Sequence, residues 1–451
     1  MLAPDGHITE KGPGRSRRAL RVLFASALAA GSWAALPGTA YASGLETSGV
    51  GARGRSLGYA LTAAADDWTA AYYNPAALAW ARGGTAAALY EYFTGGLSSS
   101  DSLRNLPPAA GPDPARGDFV DPVGDEPSSF TRRDVGAVAH AAEAGWVSRA
   151  GAVGLAAGFY GSGAGSEWED RVPTEGGDSV SAGFSYRNLS LNVPLAVGAE
   201  LLPGLSAGLA VTLRYGLLEA RVEKQRTGAT FEYLQRFEQE TAGGAASFDA
   251  GLLWKIGERA SVGAVWRFPY AIVKRGDTSV DQSLSGLSLE RETRVEESIP
   301  ARAALGAAWR PRAGDLLAVS AVWMDWSAYR RTTTYDEPVP GVLEDGGGNP
   351  AEWQDTWVLS AGWEHALGRG WSSRLGLVHD QAPEPRSQRT LVGGQVVDAW
   401  KVAVGFGWAG RRAAVDVGYT HSWNSGVEGY LPDTEYQLSL HEAYVGFSWR
   451  F

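Results

Sequence analysis

The sequence contains no cysteine and only 2 methionines among 451 residues. Without thiols there are no disulfides, no thiolate metal sites and no cysteine nucleophile. Beyond Ala42 it also lacks any apolar run of the ~20 residues that a membrane-spanning helix requires. A mature chain that crosses a membrane therefore crosses it as strands. Catalytic signatures are missing as well: there is no zinc-helix motif, no phosphate-cradling loop and no serine elbow. His379-Asp380 and His441-Glu442 are the only pairs with acid/base character. Adjacent residues on a strand point to opposite faces, so neither makes a dyad. No enzymatic activity, cofactor or metal is expected, and a net charge of -10 gives no general invitation to nucleic acid.

What the chain has in quantity is glycine and large aromatics: 59 Gly, 18 Trp and 17 Tyr, with 20% charged residues. Glycine and aromatics suit tightly curved sheets and membrane-interface girdles, and a mean hydropathy of -0.18 rules out a bundle of apolar helices. The N-terminus reads as an export signal. Lys11, Arg15, Arg17, Arg18 and Arg21 form a basic region, Val22 to Leu36 an apolar one, and Ala40-Tyr41-Ala42 a small-x-small cleavage site. Residues 1–42 are thus expected to be removed on export.

Residues 43–83 do not alternate. They are rich in Gly and Ala, with a short helix expected near Ala60 to Ala71 and a turn where Asn74 precedes Pro75. From residue 84 onward the pattern is that of strands, at about 85–94, 134–147, 152–163, 183–200, 204–224, 241–256, 260–275, 290–309, 314–331, 353–367, 371–381, 395–409, 411–423 and 435–451. Connections alternate between tight turns, such as Gly257-Glu258-Arg259 and Gly368-Arg369-Gly370, and longer polar loops near 165–182, 225–240, 276–289, 332–352, 382–394 and 424–434. In Trp400, Val402, Val404, Phe406 and Trp408 one face is apolar, while Lys401, Ala403, Gly405 and Gly407 form the other. A soluble sandwich alternates too, but many of these segments reach the ~10 residues of a tilted membrane crossing. The expected fold is all-β: a transmembrane antiparallel β-barrel of about 14 strands, with short turns facing the periplasm, long loops outside, and an N-terminal hatch within the lumen. Aromatic residues at Tyr444, Phe447 and Trp449, in a strand whose alternation looks disturbed, end on Phe451, which resembles the insertion signal of bacterial outer-membrane barrels.

Gly49 to Trp80, with Asp66-Asp67 ahead of Asn74-Pro75-Ala76, resembles the hatch of the long-chain fatty acid transporter family, which includes aromatic hydrocarbon channels. Ile299 to Gly306 followed by Asp325-Trp326-Ser327 looks like that family's middle strands. Trp353 to Trp357, Gly362, Arg374-Leu375-Gly376 and Pro383 resemble its later region. The resemblance implies an outer-membrane channel for passive uptake of hydrophobic small molecules, foremost long-chain fatty acids, which leave by a lateral opening beside the hatch. Aromatic hydrocarbon uptake is the first alternative, and a non-transport barrel serving as scaffold or secretion accessory the second. Expected partners are the cargo, outer-membrane lipid and lipopolysaccharide, and the barrel-assembly machinery during biogenesis, with the protein itself a monomer.

Asn74, Pro75 and Ala76 are the candidate hatch or gate residues, since Pro fixes its own φ and the Asn amide can satisfy backbone groups where water is scarce. Arg214, Arg302, Arg374 and Lys401 have inward parity and could orient a fatty carboxylate by charge-assisted hydrogen bonds. The reading that comes first for them, however, is pairing with lumen acids such as Asp249, Glu364 or Asp416, which holds barrel and plug together. Trp254, Trp266, Trp309, Trp323, Trp363, Trp408 and Trp449 read as interfacial girdle, and Phe451 as the insertion signal.

Overall fold

The computed structural model describes residues 49–81, 83–99, 133–173, 179–227, 232–283, 285–349, 352–386, 397–424, 426–428 and 435–451. The expected export signal lies outside them.

Fourteen antiparallel staves form one closed sheet. They are β1 (Thr85–Ser99), β2 (Arg133–Ala150), β3 (Val153–Pro173), β4 (Ser179–Leu202), β5 (Leu205–Thr227), β6 (Glu232–Ile256) and β7 (Ala260–Arg267 and Tyr270–Gln282). There follow β8 (Leu287–Ile299 and Arg302–Trp309), β9 (Asp315–Met324 and Arg330–Tyr335), β10 (Thr356–Gly368), β11 (Trp371–Asp380), β12 (Ala399–Ala409), β13 (Ala413–Trp423) and β14 (Glu435–Arg450). Short ladder pieces, Gly346–Gly348 on β9 and Val427–Glu428 on β14, add to the rim. The barrel closes because β1 pairs with β2 on one side and β14 on the other. No helix among the described residues is long and apolar enough to cross a membrane.

Outward positions carry a belt of exposed apolar side chains, including Leu209, Phe248, Leu305, Val319, Leu359 and Phe406. On a soluble protein such a belt would be untenable; against lipid it is the favourable face. The burial of β12 alternates residue by residue, Lys401, Ala403 and Gly405 inside against Trp400, Val404 and Phe406 outside. In β14 the alternation is regular after all. Tyr436, Leu438, Leu440 and Tyr444 point inward and are buried, Val445, Phe447 and Trp449 outward and exposed. The sequence seemed irregular there because the apolar parity switches along the stave, from inward Tyr436, Leu438 and Leu440 to outward Val445, Phe447 and Trp449.

Three expected loops are largely strand. β3 runs to Pro173 and β4 starts at Ser179, β5 reaches Thr227 and β6 starts at Glu232, and β7 reaches Gln282. These hairpins rise beyond the apolar belt: on β5, β6 and β7 inward Val222, Phe237 and Val280 stay buried, but the outward apolar face gives way to charged residues such as Arg221, Glu223, Arg236 and Glu238. Cross-strand ion pairs such as Arg187–Glu219 at 3.4 Å and Arg236–Glu223 at 2.9 Å take its place.

Two irregularities matter for function. β7, β8 and β9 break at one level, at Phe268-Pro269, Pro300-Ala301 and Asp325 to Tyr329. The prolines there lack the N–H a ladder needs, and the turn at Trp326–Ala328 folds Trp326 inward, where it is buried with Tyr329, Met324 and Ile299. Separately, the β3–β4 ladder loses its pairing at Gly158 and Phe159, opposite Val193 and Pro194, and resumes in the same register on either side. Among the described residues, β2 and β3 are paired only from Glu143–Tyr160 to Ala150–Val153.

Candidate functional site: the lumen and the segment within it

Residues 49–81 lie inside the barrel, in a path of short helical turns at Ala52–Ser56, Ala70–Tyr73 and Pro75–Trp80. Their alanines and Leu57, Leu61, Leu78, Trp68 and Tyr72 are buried together with inward residues of the staves. The expected helix over Ala60 to Ala71 is not formed. A helix of that length would hold the chain away from the wall, and the small residues instead let the backbone follow it.

Glycines on the staves make that approach possible. Gly154, Gly198, Gly208 and Gly251 are successive cross-strand partners from β3 to β6. A Cβ on Gly208 would stand 2.3 Å from the Pro75 carbonyl carbon, and one on Gly251 2.2 Å from Asn74 Oδ1. Gly362 and Gly376 repeat the arrangement against Leu57 and Gly58 on the other side. Each glycine lets the internal segment come up against the backbone of the wall where any side chain would hold it away. This continuous facet was hidden in the sequence, where the glycines are scattered through separate strands.

Asn74 and Pro75 sit at the centre of the β4–β7 contact. Asn74 is extended, at φ -166°, as a residue before proline should be. Its Nδ2 donates to the Thr62 carbonyl at 2.9 Å and to the Leu252 carbonyl of β6 at 3.0 Å, while its Oδ1 accepts from the Ala76 N–H at 3.1 Å. The Ala76 carbonyl accepts from Ser206 Oγ at 2.8 Å, and the Ala63 carbonyl from Ser261 Oγ at 2.8 Å. A segment with little regular structure of its own thus satisfies backbone groups on the wall.

On the opposite side the fastening is ionic. Arg55 is buried against Glu143 of β2 at 2.6 Å and Glu91 of β1 at 2.8 Å, with Glu442 of β14 at 4.0 Å. Arg53 bridges Asp66 at 2.9 Å and Glu364 of β10 at 2.8 Å, and Glu364 in turn meets Arg374 of β11 at 2.6 Å. Arg374 also pairs with Asp416 of β13. This network borders a polar cavity of about 470 Å³ at the short-turn end of the barrel. Arg53 and Arg55 carry as much of the attachment as the wall cations do, and the sequence offered no strand parity by which to pick them out.

The four inward cations occupy different settings. Arg374 pairs with Glu364 and Asp416 on the staves, sharing Glu364 with Arg53 of the internal segment, and Lys401 pairs with Asp380 at 2.9 Å while lying 5.8 Å from the Tyr59 ring. Arg214 donates to Asn192 Oδ1 at 2.9 Å and Ser247 Oγ at 3.0 Å, and stacks over Tyr270 at 4.8 Å. Arg302 lies over the Tyr72 ring at 5.2 Å, and among the described residues no carboxylate comes within ion-pair distance of it. Its direct cross-strand neighbour is Arg267, which also approaches Tyr72, at 5.6 Å, and takes Asp249 at 2.7 Å. Arg267 ends the lower part of β7 and Arg302 begins that of β8, so the proline breaks place both at one level over the internal segment. Chemically, this is a cationic spot among tyrosines, with the aromatic group of Trp326, Tyr329 and Trp353 on the neighbouring staves. Of the girdle residues, Trp254, Trp266, Trp309, Trp363, Trp408 and Trp449 are exposed and Trp323 is half-buried, stacked on Trp266 at 6.5 Å. Phe451 is exposed, and its N–H donates to the Gly84 carbonyl at 2.8 Å, next to the closing pair of staves.

Residues 33–439 match the model of a family described as outer membrane protein transport protein (OMPP1/FadL/TodX). No curated protein matches the chain significantly. Among solved structures, a Pseudomonas aeruginosa FadL homologue is similar, with 15% identity, TM-score 0.71, and coverage of 90% of this chain and 100% of that one. The P. putida toluene transporter TodX has 16% identity, TM-score 0.64, and coverage of 90% and 99%. The Ralstonia pickettii toluene transporter TbuX has 14% identity, TM-score 0.59, and coverage of 90% and 99%. At such identities the likeness is one of fold.

Proposed function

The chain belongs to the outer membrane transport protein family (OMPP1/FadL/TodX), and from that premise we propose that its principal cargo is long-chain fatty acid. It is an outer-membrane channel for hydrophobic compounds, and transport rather than catalysis is its role. The observation that carries the choice of cargo is Arg302 beside Arg267 over Tyr72, a cationic spot set among apolar and aromatic lumen side chains. A carboxylate gains a charge-assisted hydrogen bond there. Its tail gains roughly 25 cal/mol for each Å² of apolar surface taken from water, which makes an apolar route better than a water-filled pore.

Residues 43–83 act as the hatch in this reading, with Asn74-Pro75-Ala76 holding it to the wall. They deny the cargo a straight path to the periplasm, so it leaves sideways where β3 and β4 lose their pairing at Gly158-Phe159 and Val193-Pro194. Such an exit delivers the cargo into the apolar layer and past the polar lipopolysaccharide. The barrel works as a monomer, inserted by the assembly machinery through its Phe451 end. A second reading, uptake of aromatic hydrocarbons, is favoured by the cluster of Trp326, Tyr329 and Trp353, whose rings lie 4.8 to 6.1 Å apart. Uptake of radiolabelled oleate and toluene by a deletion strain, with and without the gene, tests both. Gene-dependent oleate uptake supports the first reading, and toluene uptake alone supports the second. If neither changes, transport of these classes is wrong and the scaffold reading takes over.

A further inference from the structure

Gly145 of β2 and Gly158 of β3 are direct cross-strand partners, and neither puts a side chain into the lumen. The indole of Trp68, 3% exposed, covers both. A Cβ on Gly145 would stand 2.1 Å from Trp68 Cδ2, and one on Gly158 2.7 Å from its Cε3. Gly158 is also where β3 loses its pairing with β4, opposite Pro194. From inside, then, the indole covers a rung of the β2–β3 ladder that has no side-chain bulk of its own, at the edge where β3 loses its ladder with β4.

Its position is fixed by the turn that carries it. The N–H and Oγ1 of Thr69 both donate to Asp67 Oδ1, at 2.8 and 2.5 Å, and the N–H of Ala71 to the Trp68 carbonyl at 3.1 Å. On the neighbouring turn of chain Tyr72 packs edge-on against Tyr160 of β3, with centroids 5.6 Å apart. The backbone on both sides of Trp68 is held, so its ring is the part that stands between the lumen and the interruption. The interruption opens on the outer surface beside Phe159 and Leu195, both exposed to lipid.

We propose that Trp68 is a specificity-determining residue of the lateral exit, its indole setting the cross-section of cargo that passes between β3 and β4. A flexible acyl chain or a single ring slides along the edge of the indole. A rigid fused-ring molecule needs the volume the indole fills. The proposal rests on the lateral-exit reading, and its test separates the two.

Trp68→Ala and Trp68→Leu are expressed in the deletion strain, assembly is confirmed by heat modifiability, and uptake of oleate and of pyrene is measured. The ratio of pyrene to oleate uptake is expected to rise on the order of tenfold in Trp68→Ala, as for relief of a bulky apolar group in a passage. Trp68→Leu should lie between that variant and the wild type, and it alone decides the matter if the alanine variant fails to assemble. Sucrose-driven swelling of proteoliposomes should stay at the wild-type rate. An unchanged ratio overturns the proposal, and so does a raised ratio accompanied by faster swelling, which would mean that the whole segment has come loose. The exit itself is tested by oxidising a Phe159→Cys, Val193→Cys pair across the interruption. If oleate uptake survives that cross-link, the lateral-exit reading has failed. If the cross-link blocks uptake yet the Trp68 variants keep the wild-type ratio, only the role of Trp68 has failed.

Discussion

Replacing Asn74 by alanine should make the barrel leak. The side chain is fully buried and makes three hydrogen bonds, two donated and one accepted. Each has a net worth of about 0.5–1.5 kcal/mol, so their joint loss amounts to about 1.5–4.5 kcal/mol. Only the bond to the Leu252 carbonyl joins the segment to the wall; those with Thr62 and Ala76 brace the segment itself. The share that loosens the segment from the wall, including the carbonyl left unsatisfied, is therefore about 1–2 kcal/mol. That corresponds to a rise of about 5- to 30-fold in the population of detached conformations. Arabinose-driven swelling of proteoliposomes reads this population, since on the hatch reading a polar solute crosses when the segment is detached. Asn74→Asp provides the control: it loses both donors and keeps an acceptor for Ala76, so it should leak at least as much as the alanine variant. If both variants assemble and both swell at the wild-type rate, the Asn74 contact does not hold the segment and the reasoning fails.

Arg302→Gln should reduce oleate uptake about tenfold or more, since a hydrogen bond to a charged group contributes about 1.5–3 kcal/mol. Toluene uptake in the same cells should be unaffected, and an equal loss for both cargoes would remove Arg302 from the carboxylate site. Gly208→Val places a side chain where the Pro75 carbonyl carbon and Ala76 nitrogen stand within 2.4 Å of the Cβ position, so the segment must shift. Swelling by small polar solutes should increase, and wild-type swelling would show that the close approach is not needed for closure. Removal of Phe451 should lower the yield of the heat-modifiable form; normal assembly would count against its role in insertion.

The stave count and the inside–outside order were legible because the middle of each stave sees lipid on one face and lumen on the other. Trp400 to Trp408 carry that contrast in full. It fades above the membrane, where Arg221, Glu223, Arg236 and Glu238 meet across β5 and β6 as ions and not as apolar neighbours. Arg236 and Glu238 therefore looked like loop, while Arg221 and Glu223 stood at the end of the strand expected over 204–224. Asn74-Pro75 was legible as a turn with a free amide, but its partners were not, because the Leu252 carbonyl is a backbone group that any residue would supply. Arg267 was passed over although it shares the parity of Asp249, which it meets. What marks it is Pro269, two residues on, which ends the lower part of β7 and leaves Arg267 at the lip of the break.

Four cations had the same claim from parity alone, and their neighbours separate them. A fatty carboxylate could reach Arg374 only by displacing Glu364 or Asp416, and Lys401 only by displacing Asp380. Breaking a buried pair by removing one partner costs about 3–5 kcal/mol, which is more than the charge-assisted bond returned by the cargo. Arg374 has a further reason to stay engaged, because Glu364 also holds Arg53 and with it the internal segment. Arg302 faces a tyrosine ring instead, and a carboxylate arriving there displaces no acid among the described residues. The same bond is therefore net favourable at Arg302 and net unfavourable at Arg374 and Lys401. On the fatty-acid reading the head group therefore belongs over Tyr72, while Arg53 and Arg55, paired with acids on the staves, tether the internal segment.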